Sequence, residues 1–151
     1  MKTRSIVPAA TRQGGFTLLE MIVVLVIIGL IMGLVGPRLF AQADKAKVQT
    51  AETQTKMLKG ALETMRLDIG RFPTDQEGLK LLVERPADER MAARWGGPYL
   101  DEGLPVDPWG NAYQYSAKAS TNYAVTLYSF GADGQTGGSG YDADIGYLAE
   151  N

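Results

Sequence analysis

Gly14-Gly15-Phe16-Thr17-Leu18-Leu19-Glu20 joins a short basic leader to an apolar run at residues 21–35, and this junction is the most informative part of the sequence. The leader carries three basic residues, Lys2, Arg4 and Arg12. A helix over residues 16–40 would extend roughly 37 Å, which exceeds a hydrocarbon core of about 30 Å. The pattern predicts a membrane-spanning helix with one carboxylate, Glu20, near its start.

Two other interpretations of the junction stay open on the residues alone. An ordinary secretory signal is cleaved after its apolar region, and cleavage after Ala41-Gln42-Ala43 would release a soluble chain starting at Asp44. A plain anchor could also keep Glu20 in headgroup water. Against the discarded signal, a carboxylate at bilayer depth costs about 2–3 kcal/mol and normally marks a function.

The motif at residues 15–20 resembles the processing site of type IV pilins and type II secretion pseudopilins. The resemblance implies that a prepilin peptidase cuts after Gly15 and methylates the new amine of Phe16, giving N-methylphenylalanine. It also implies that Glu20, the fifth residue of the mature chain, acts in assembly. A carboxylate in lipid needs a cation, and residues 16–36 contain no basic side chain. The amine of a neighbouring subunit is therefore its expected partner, and the pair would fix the register of subunits in a filament.

Composition excludes several kinds of site. The chain has no cysteine and no histidine, which excludes disulfides, serine–histidine catalysis and histidine-ligated zinc. A net charge of -2 and a pI of about 5.2 give no basic footprint for nucleic acid. We therefore expect a protein that is neither an enzyme nor a nucleic-acid binder.

The apolar helix is expected to continue beyond the membrane. Proline removes a helical hydrogen bond, so Pro37 predicts a kink or a melted segment, as the family resemblance also implies. Further along, apolar and small residues recur at steps of three and four, which predicts one buried stripe; they are Val48, Ala51, Thr55, Leu58, Leu62, Met65 and Ile69. Gly70 and Phe72-Pro73 are expected to end the helix.

The rest of the chain predicts a small domain. Thr74-Asp75-Gln76-Glu77 is typical of a capping box before a short helix, and Asp107-Pro108-Trp109-Gly110-Asn111 is typical of a turn. Residues 112–117 and 122–130 predict two strands. The expected organisation is a cleaved leader at residues 1–15, a transmembrane and assembly half-helix at residues 16–40, and a globular domain at residues 41–151 that includes the second half of the helix.

The resemblance becomes more specific in this domain, where the chain is similar to the G-type, or major, pseudopilins of type II secretion. The shared motifs are Arg71-Phe72-Pro73-Thr74, Glu77-Gly78-Leu79, Gly97-Pro98-Tyr99-Leu100, residues 104–111, Ser129-Phe130-Gly131-Ala132-Asp133-Gly134 and Ala143-Asp144-Ile145-Gly146. The resemblance implies an α+β, type IV pilin-like fold: a long N-terminal helix packed on a small antiparallel sheet, with a calcium loop near the C-terminus.

The calcium prediction concerns residues 131–146, which are rich in glycine and contain Asp133, Asp142 and Asp144. Carboxylates on a flexible backbone suit calcium, but the spacing alone equally fits a solvated turn in which each aspartate caps a local amide. The resemblance implies a structural calcium held by the side chains of Asp133 and Asp144 and by the backbone carbonyl of Phe130. It gives Asp142 a less direct match.

The function implied by the resemblance is structural. The protein is expected to be a single-pass subunit of the bacterial inner membrane with its domain in the periplasm. It would polymerise with itself and with minor pseudopilins into a filament that drives export of folded proteins across the outer membrane. An inner-membrane assembly platform, an assembly ATPase and a prepilin peptidase are the other implied partners. A type IV pilus subunit and a secreted, soluble calcium-binding domain are the alternatives.

Overall fold

The computed structural model describes residues 15–148; residues 1–14 of the predicted leader and residues 149–151 of the predicted domain lie outside them. The helices are α1 (Leu18–Ile69) and α2 (Glu89–Ala92), with 3-10 helices at Gly78–Leu82 and Gly140–Asp142. The strands are β1 (Gln114–Ser116), β2 (Thr126–Ser129) and β3 (Ile145–Tyr147). The chain divides into two units between Phe40 and Ala41.

In the first unit, Thr17 organises the start of α1. Its side-chain Oγ1 accepts a hydrogen bond from the backbone N–H of Glu20 at 3.2 Å, and its carbonyl accepts one from Met21 at 3.2 Å. A threonine cap of this kind satisfies amides that have no partner within the helix. The helix that follows is long and apolar enough to cross a membrane, and none of its most apolar stretch is buried in the structure.

Pro37 lies inside α1, and the helix is continuous through it. The expected melted segment is therefore not present, whereas a bend at this residue stays a prediction. Proline disfavours helical backbone at the preceding residue through contact with its Cβ, and that residue is Gly36, which has none. The helix passes Pro37 with one hydrogen bond missing and without this clash.

The second unit is built on the buried stripe of α1, which largely confirms the prediction. The buried helix residues are Ala51, Thr55, Leu58, Ala61, Leu62, Met65 and Ile69. Val48 is only half-buried, because it lies beyond the main core and lines a cleft. The stripe joins Leu81, Leu82, Leu100, Tyr113, Val125 and Leu127 in one hydrophobic core.

The sheet is antiparallel with the strand order β1-β2-β3. Both predicted strands exist but are shorter than expected, and β3 was not predicted. Gly146 in β3 has φ +141°, and a Cβ there would collide with the carbonyl oxygen of Leu127 on the neighbouring strand. Val125 and Leu127 are buried in the same core as residues 58–69 of α1, so the sheet covers this part of the helix.

The connection between α1 and β1 contains the predicted capping box. The Thr74 N–H donates to Glu77 Oε2 at 2.8 Å, and the Glu77 N–H donates to Thr74 Oγ1 at 3.3 Å. The short helix after it, Gly78–Leu82, is a 3-10 helix. The four-residue α2, capped by Asp88 Oδ1 at 2.9 Å from the Met91 N–H, was not predicted because so short a helix shows no periodicity.

Candidate functional site

The predicted processing segment precedes the first turn of α1. Gly15 and Phe16 have no helix or strand assignment, and the Phe16 side chain is 77% exposed. A Cβ built on Gly15 would meet no atom within 4 Å. Packing within the described part of the chain therefore does not require glycine at this position.

Glu20 lies in the first turn of α1 and is exposed. Its backbone N–H is bonded to Thr17, but within residues 15–148 its carboxylate forms no ion pair. A carboxylate in this turn is favoured by the helix dipole. The pairing of Glu20 with an amine of a neighbouring subunit stays a prediction.

The carboxylate loop, residues 131–146, follows β2 and includes the start of β3. Two of its aspartates bond to backbone groups of the loop itself. Asp133 Oδ1 accepts a hydrogen bond from the Gln135 N–H at 3.0 Å. Asp144 Oδ2 accepts one from the Gly137 N–H at 2.9 Å, and the Asp144 N–H donates to the Gly137 carbonyl at 3.1 Å. These contacts are of the kind expected for a turn in which aspartates cap local amides.

The three aspartates of the loop are not brought together. Among residues 15–148, no three carboxylates are grouped so that they could hold a metal ion, and calcium binding that involves Asp133, Asp142 and Asp144 stays a prediction. The reason for their separation is local: Asp133 and Asp144 bond to different backbone amides of the loop, and Asp142 lies in the 3-10 helix.

A smaller ligand set passes one test of fit. Asp144 Oδ1 is buried and has no hydrogen-bond partner, which is costly for a carboxylate oxygen unless a cation or water satisfies it. Calcium accepts backbone carbonyls beside carboxylates, so Asp144, Asp133 and the Phe130 carbonyl form a chemically suitable set. Whether they bind calcium stays a prediction.

Asp144 also lines a cleft of about 540 Å³ between the loop and α1. Lys56 lines the same cleft, so the absence of basic residues from the loop sequence does not extend to its folded surroundings. The loop contacts α1 a second time through Tyr141, whose hydroxyl donates to the Ala41 carbonyl at 3.3 Å. The carboxylate loop therefore lies against α1.

The start and end of the loop are in close contact. Gly131 has φ +74°, and a Cβ there would lie 2.6 Å from the Ala143 carbonyl oxygen. The Ala132 N–H donates to the Tyr141 carbonyl at 3.0 Å. Glycine at position 131 is therefore required both by its backbone angle and by this approach, which brings Phe130 and Asp144 into one region.

Sequence reasoning missed the residue that supports the loop from outside. The turn at Asp107 forms as predicted, since Asp107 Oδ1 accepts hydrogen bonds from the N–H groups of Trp109 at 3.0 Å and Asn111 at 2.8 Å. Its other oxygen, Oδ2, accepts a hydrogen bond from the Ser129 hydroxyl at 2.5 Å. Only the structure shows that Ser129, at the end of β2, lies next to this turn.

Arg71 and Glu77 form a second polar cluster that the sequence did not reveal. The two guanidinium nitrogens of Arg71 donate to the two oxygens of Glu77, each at 2.7 Å. The hydrogen bond from Arg71, with those from Thr74, lowers the pKa of Glu77 from 4.5 to about 2. This bidentate ion pair, the Arg71–Glu77 fork, joins two residues of the segment that follows α1. Its role is structural.

The chain matches two family models. The one described as "Type II secretion system (T2SS), protein G" matches residues 38–148, and the "Prokaryotic N-terminal methylation motif" matches residues 10–36. The second match covers the predicted processing segment and the apolar half of α1. It favours the prepilin-type interpretation over a signal cut after Ala43.

Curated relatives agree over nearly the whole chain. "Type II secretion system core protein G" of Pseudomonas aeruginosa is 44% identical over 135 residues, covering 89% of this chain and 94% of the relative. The protein of the same name from Vibrio cholerae is 42% identical over 135 residues, covering 89% and 91%. These names support the main interpretation and not the pilus or secreted-domain alternatives.

A solved structure shares the fold. The major pseudopilin from the type 2 secretion system of enterohaemorrhagic Escherichia coli matches with a TM-score of 0.57 and 31% identity, covering 72% of this chain and 92% of the other. The predicted long helix on a small antiparallel sheet is thereby confirmed. The family is one of structural subunits. This chain belongs to the type II secretion system protein G family, the major pseudopilins.

Proposed function

We propose that the chain is stored in the inner membrane through residues 16–40, with residues 41–151 in the periplasm. It is then polymerised into a periplasmic filament that drives export of folded proteins. The observation that supports this proposal best is the apolar half of α1, because none of its most apolar stretch is buried within the chain. An apolar helix of this length needs lipid before assembly and neighbouring helices after it.

Processing after Gly15 would give the mature chain a free, methylated amine on Phe16. Thr17 holds the first turn of α1 through its bond to the Glu20 N–H, which orients the start of the helix. The exposed Glu20 carboxylate then pairs with the Phe16 amine of a neighbouring subunit. Such a pair is worth most in a low-dielectric environment, so it favours one axial register between subunits.

Several partners follow from this assembly. A prepilin peptidase is needed to cut the leader, and an inner-membrane platform with its ATPase is needed to move subunits out of the bilayer. Minor pseudopilins are expected to join the homopolymer. Nothing in the charge pattern calls for nucleic acid, since the formal net charge is -2.

Calcium is proposed as a structural ion of the carboxylate loop. The Asp144 and Asp133 side chains and the Phe130 carbonyl would hold it, and the orphaned Asp144 Oδ1 supports this choice. When bound, the ion supplies positive charge that satisfies carboxylate oxygens in a loop with no basic residue of its own. Calcium at a hundredfold excess over its dissociation constant would stabilise the fold by about 2.7 kcal/mol.

The assembly proposal is tested by Glu20→Ala in cells that contain the secretion machinery. We expect normal cleavage after Gly15, normal membrane insertion and strongly reduced filament formation, because the amine loses its partner. Glu84→Ala is the matched control, since Glu84 is an exposed carboxylate outside α1. Filaments of normal length and number from Glu20→Ala would overturn the register mechanism.

A further inference from the structure

Asp107 is a buried carboxylate outside the loop, with 2% of its surface exposed. Among residues 15–148 it has no basic partner, and its oxygens are satisfied by three donors, the N–H groups of Trp109 and Asn111 and the hydroxyl of Ser129. A buried carboxylate is tolerated only with such bonding. The chain therefore keeps a buried carboxylate at this position, although formation of the turn alone does not require one.

Ser129 connects Asp107 to the carboxylate loop through two hydrogen bonds. The residue is fully buried, and its backbone is held in β2 opposite Ile145. Its hydroxyl donates to Asp107 Oδ2 at 2.5 Å, while its Oγ accepts a hydrogen bond from the Gly131 N–H at 3.1 Å. Because a hydroxyl has only one proton to donate, Asp107 sets the direction in which Ser129 presents its lone pairs to Gly131.

The Gly131 N–H and the Phe130 carbonyl belong to the same peptide group, which is planar. In a trans peptide the two bonds point in opposite directions, so a hydrogen bond that holds the N–H also fixes the direction of the carbonyl oxygen. A Cβ on Gly131 would lie 2.6 Å from the Ala143 carbonyl oxygen, so the residue that follows the Phe130 carbonyl packs against the residue that precedes Asp144. The orientation of the Phe130 carbonyl therefore depends on Ser129.

We propose that Asp107 is a positioning residue for the carboxylate loop. Through Ser129 and the Gly131 N–H, it orients the Phe130 carbonyl toward the region of Asp144. This inference rests on the proposed calcium site. It assigns part of the loop's affinity for calcium to a side chain that lies more than twenty residues before the loop and does not contact the ion. Preorganisation of this kind raises affinity by reducing the ordering required on binding.

The test uses the processed full chain in detergent micelles, with calcium titrated calorimetrically and thermal unfolding followed in chelator and in calcium. Ser129→Ala removes the link and keeps the size of the side chain. We expect its calcium dissociation constant to rise by about tenfold, the effect of one lost hydrogen bond in a buried site. Asp107→Asn should give a smaller rise than Ser129→Ala. Its Oδ1 still accepts hydrogen bonds from both amides, and only the bond to the Ser129 hydroxyl is lost, because an amide nitrogen cannot accept the Ser129 proton.

Asp75→Asn is the matched control. Its carboxylate accepts a 2.6 Å hydrogen bond from the Ala117 N–H, far along the chain from the carboxylate loop, so its calcium affinity should equal that of the unchanged protein. If Ser129→Ala and Asp107→Asn unfold at lower temperature in chelator yet bind calcium as tightly as the unchanged chain, the network is merely structural and the positioning role is wrong.

Failure of the calcium proposal itself would look different, because the unchanged protein would then bind no calcium. That outcome would overturn both proposals without reference to any variant. If Ser129→Ala does not fold, Asp107→Asn decides the question by the same titration. An unaltered dissociation constant in that variant would contradict the positioning role.

Discussion

Replacing Glu77 by glutamine removes the negative charge of the Arg71–Glu77 fork, the bidentate ion pair in the segment after α1. The pKa of Glu77 falls from 4.5 to about 2 in the folded chain, which corresponds to about 3 kcal/mol at 1.36 kcal/mol for each pH unit. The Arg71 and Glu77 side chains are 40% and 28% exposed, so solvent screens part of this energy. We expect Glu77→Gln to destabilise the fold by about 1–2 kcal/mol at pH 7.

The sign of the pH dependence follows from the lowered pKa. Glu77 stabilises the folded chain above the unfolded pKa, near 4.5, and this contribution is lost as the pH falls from there toward about 2. The difference between the unchanged chain and Glu77→Gln should therefore be full at pH 7 and shrink steadily below pH 4.5. Thermal unfolding followed by circular dichroism measures it, with an expected shift of about 3–8 °C at neutral pH.

Glu63→Gln provides the control for this experiment. Glu63 also faces a basic residue, but its distance from Lys59 is 3.7 Å and its side chain is 57% exposed. Such a pair contributes about 0.5 kcal/mol or less. Equal shifts for the two variants, or a Glu77→Gln shift that does not change between pH 7 and pH 3, would refute the assignment of the fork.

Three further outcomes are expected. Leu58→Ala, which truncates a fully buried side chain, should cost about 2–5 kcal/mol of unfolding free energy in denaturant titrations, whereas Leu67→Ala, at a residue 85% exposed, should change it by about 0.5 kcal/mol or less. Addition of calcium should raise the melting temperature of the unchanged chain, and Asp144→Ala should abolish the rise; an unchanged melting temperature in chelator would contradict a structural ion. Gly131→Ala should lower the melting temperature strongly in calorimetry, because its φ and the approach of Ala143 exclude a Cβ.

Patterns that depend on neighbouring residues in the chain were predictable. The stripe on α1 needed only helical spacing, and six of the seven predicted positions are buried, with Val48 half-buried. The capping box and the Asp107 turn also formed as expected, because their hydrogen bonds join residues within four positions of one another. Contacts between residues that are close in the chain can be predicted from the sequence.

Contacts between distant segments were not predictable. β3 contains only three residues, one of them glycine, and it exists because β2 pairs with it. The bond between Asp107 and Ser129 joins residues 22 positions apart. Asp133 and Asp144 are close in sequence, yet they bond to different backbone amides of the loop, which their spacing did not reveal. Pro37 predicted a kink or a melted segment; the helix continues past it without melting, and the kink stays a prediction.

The family assignment came from motifs and not from periodicity. The processing segment alone fits any chain of the pilin class, while the combination of motifs from Arg71 to Gly146 narrowed it to the G-type pseudopilins. The matches over residues 10–36 and 38–148 confirm that interpretation. The contacts in the structure show which side chains hold the domain together, and no motif specifies these.

Cleavage before the apolar helix is the step by which this chain is proposed to become an assembly subunit. The most direct test is the intact mass and the N-terminal residue of the protein recovered from membranes of cells that contain the native processing machinery. We expect a membrane-bound chain that begins at Phe16 and has one added methyl group. A soluble chain that begins at Asp44 would contradict it, because the helix required for assembly would have been discarded.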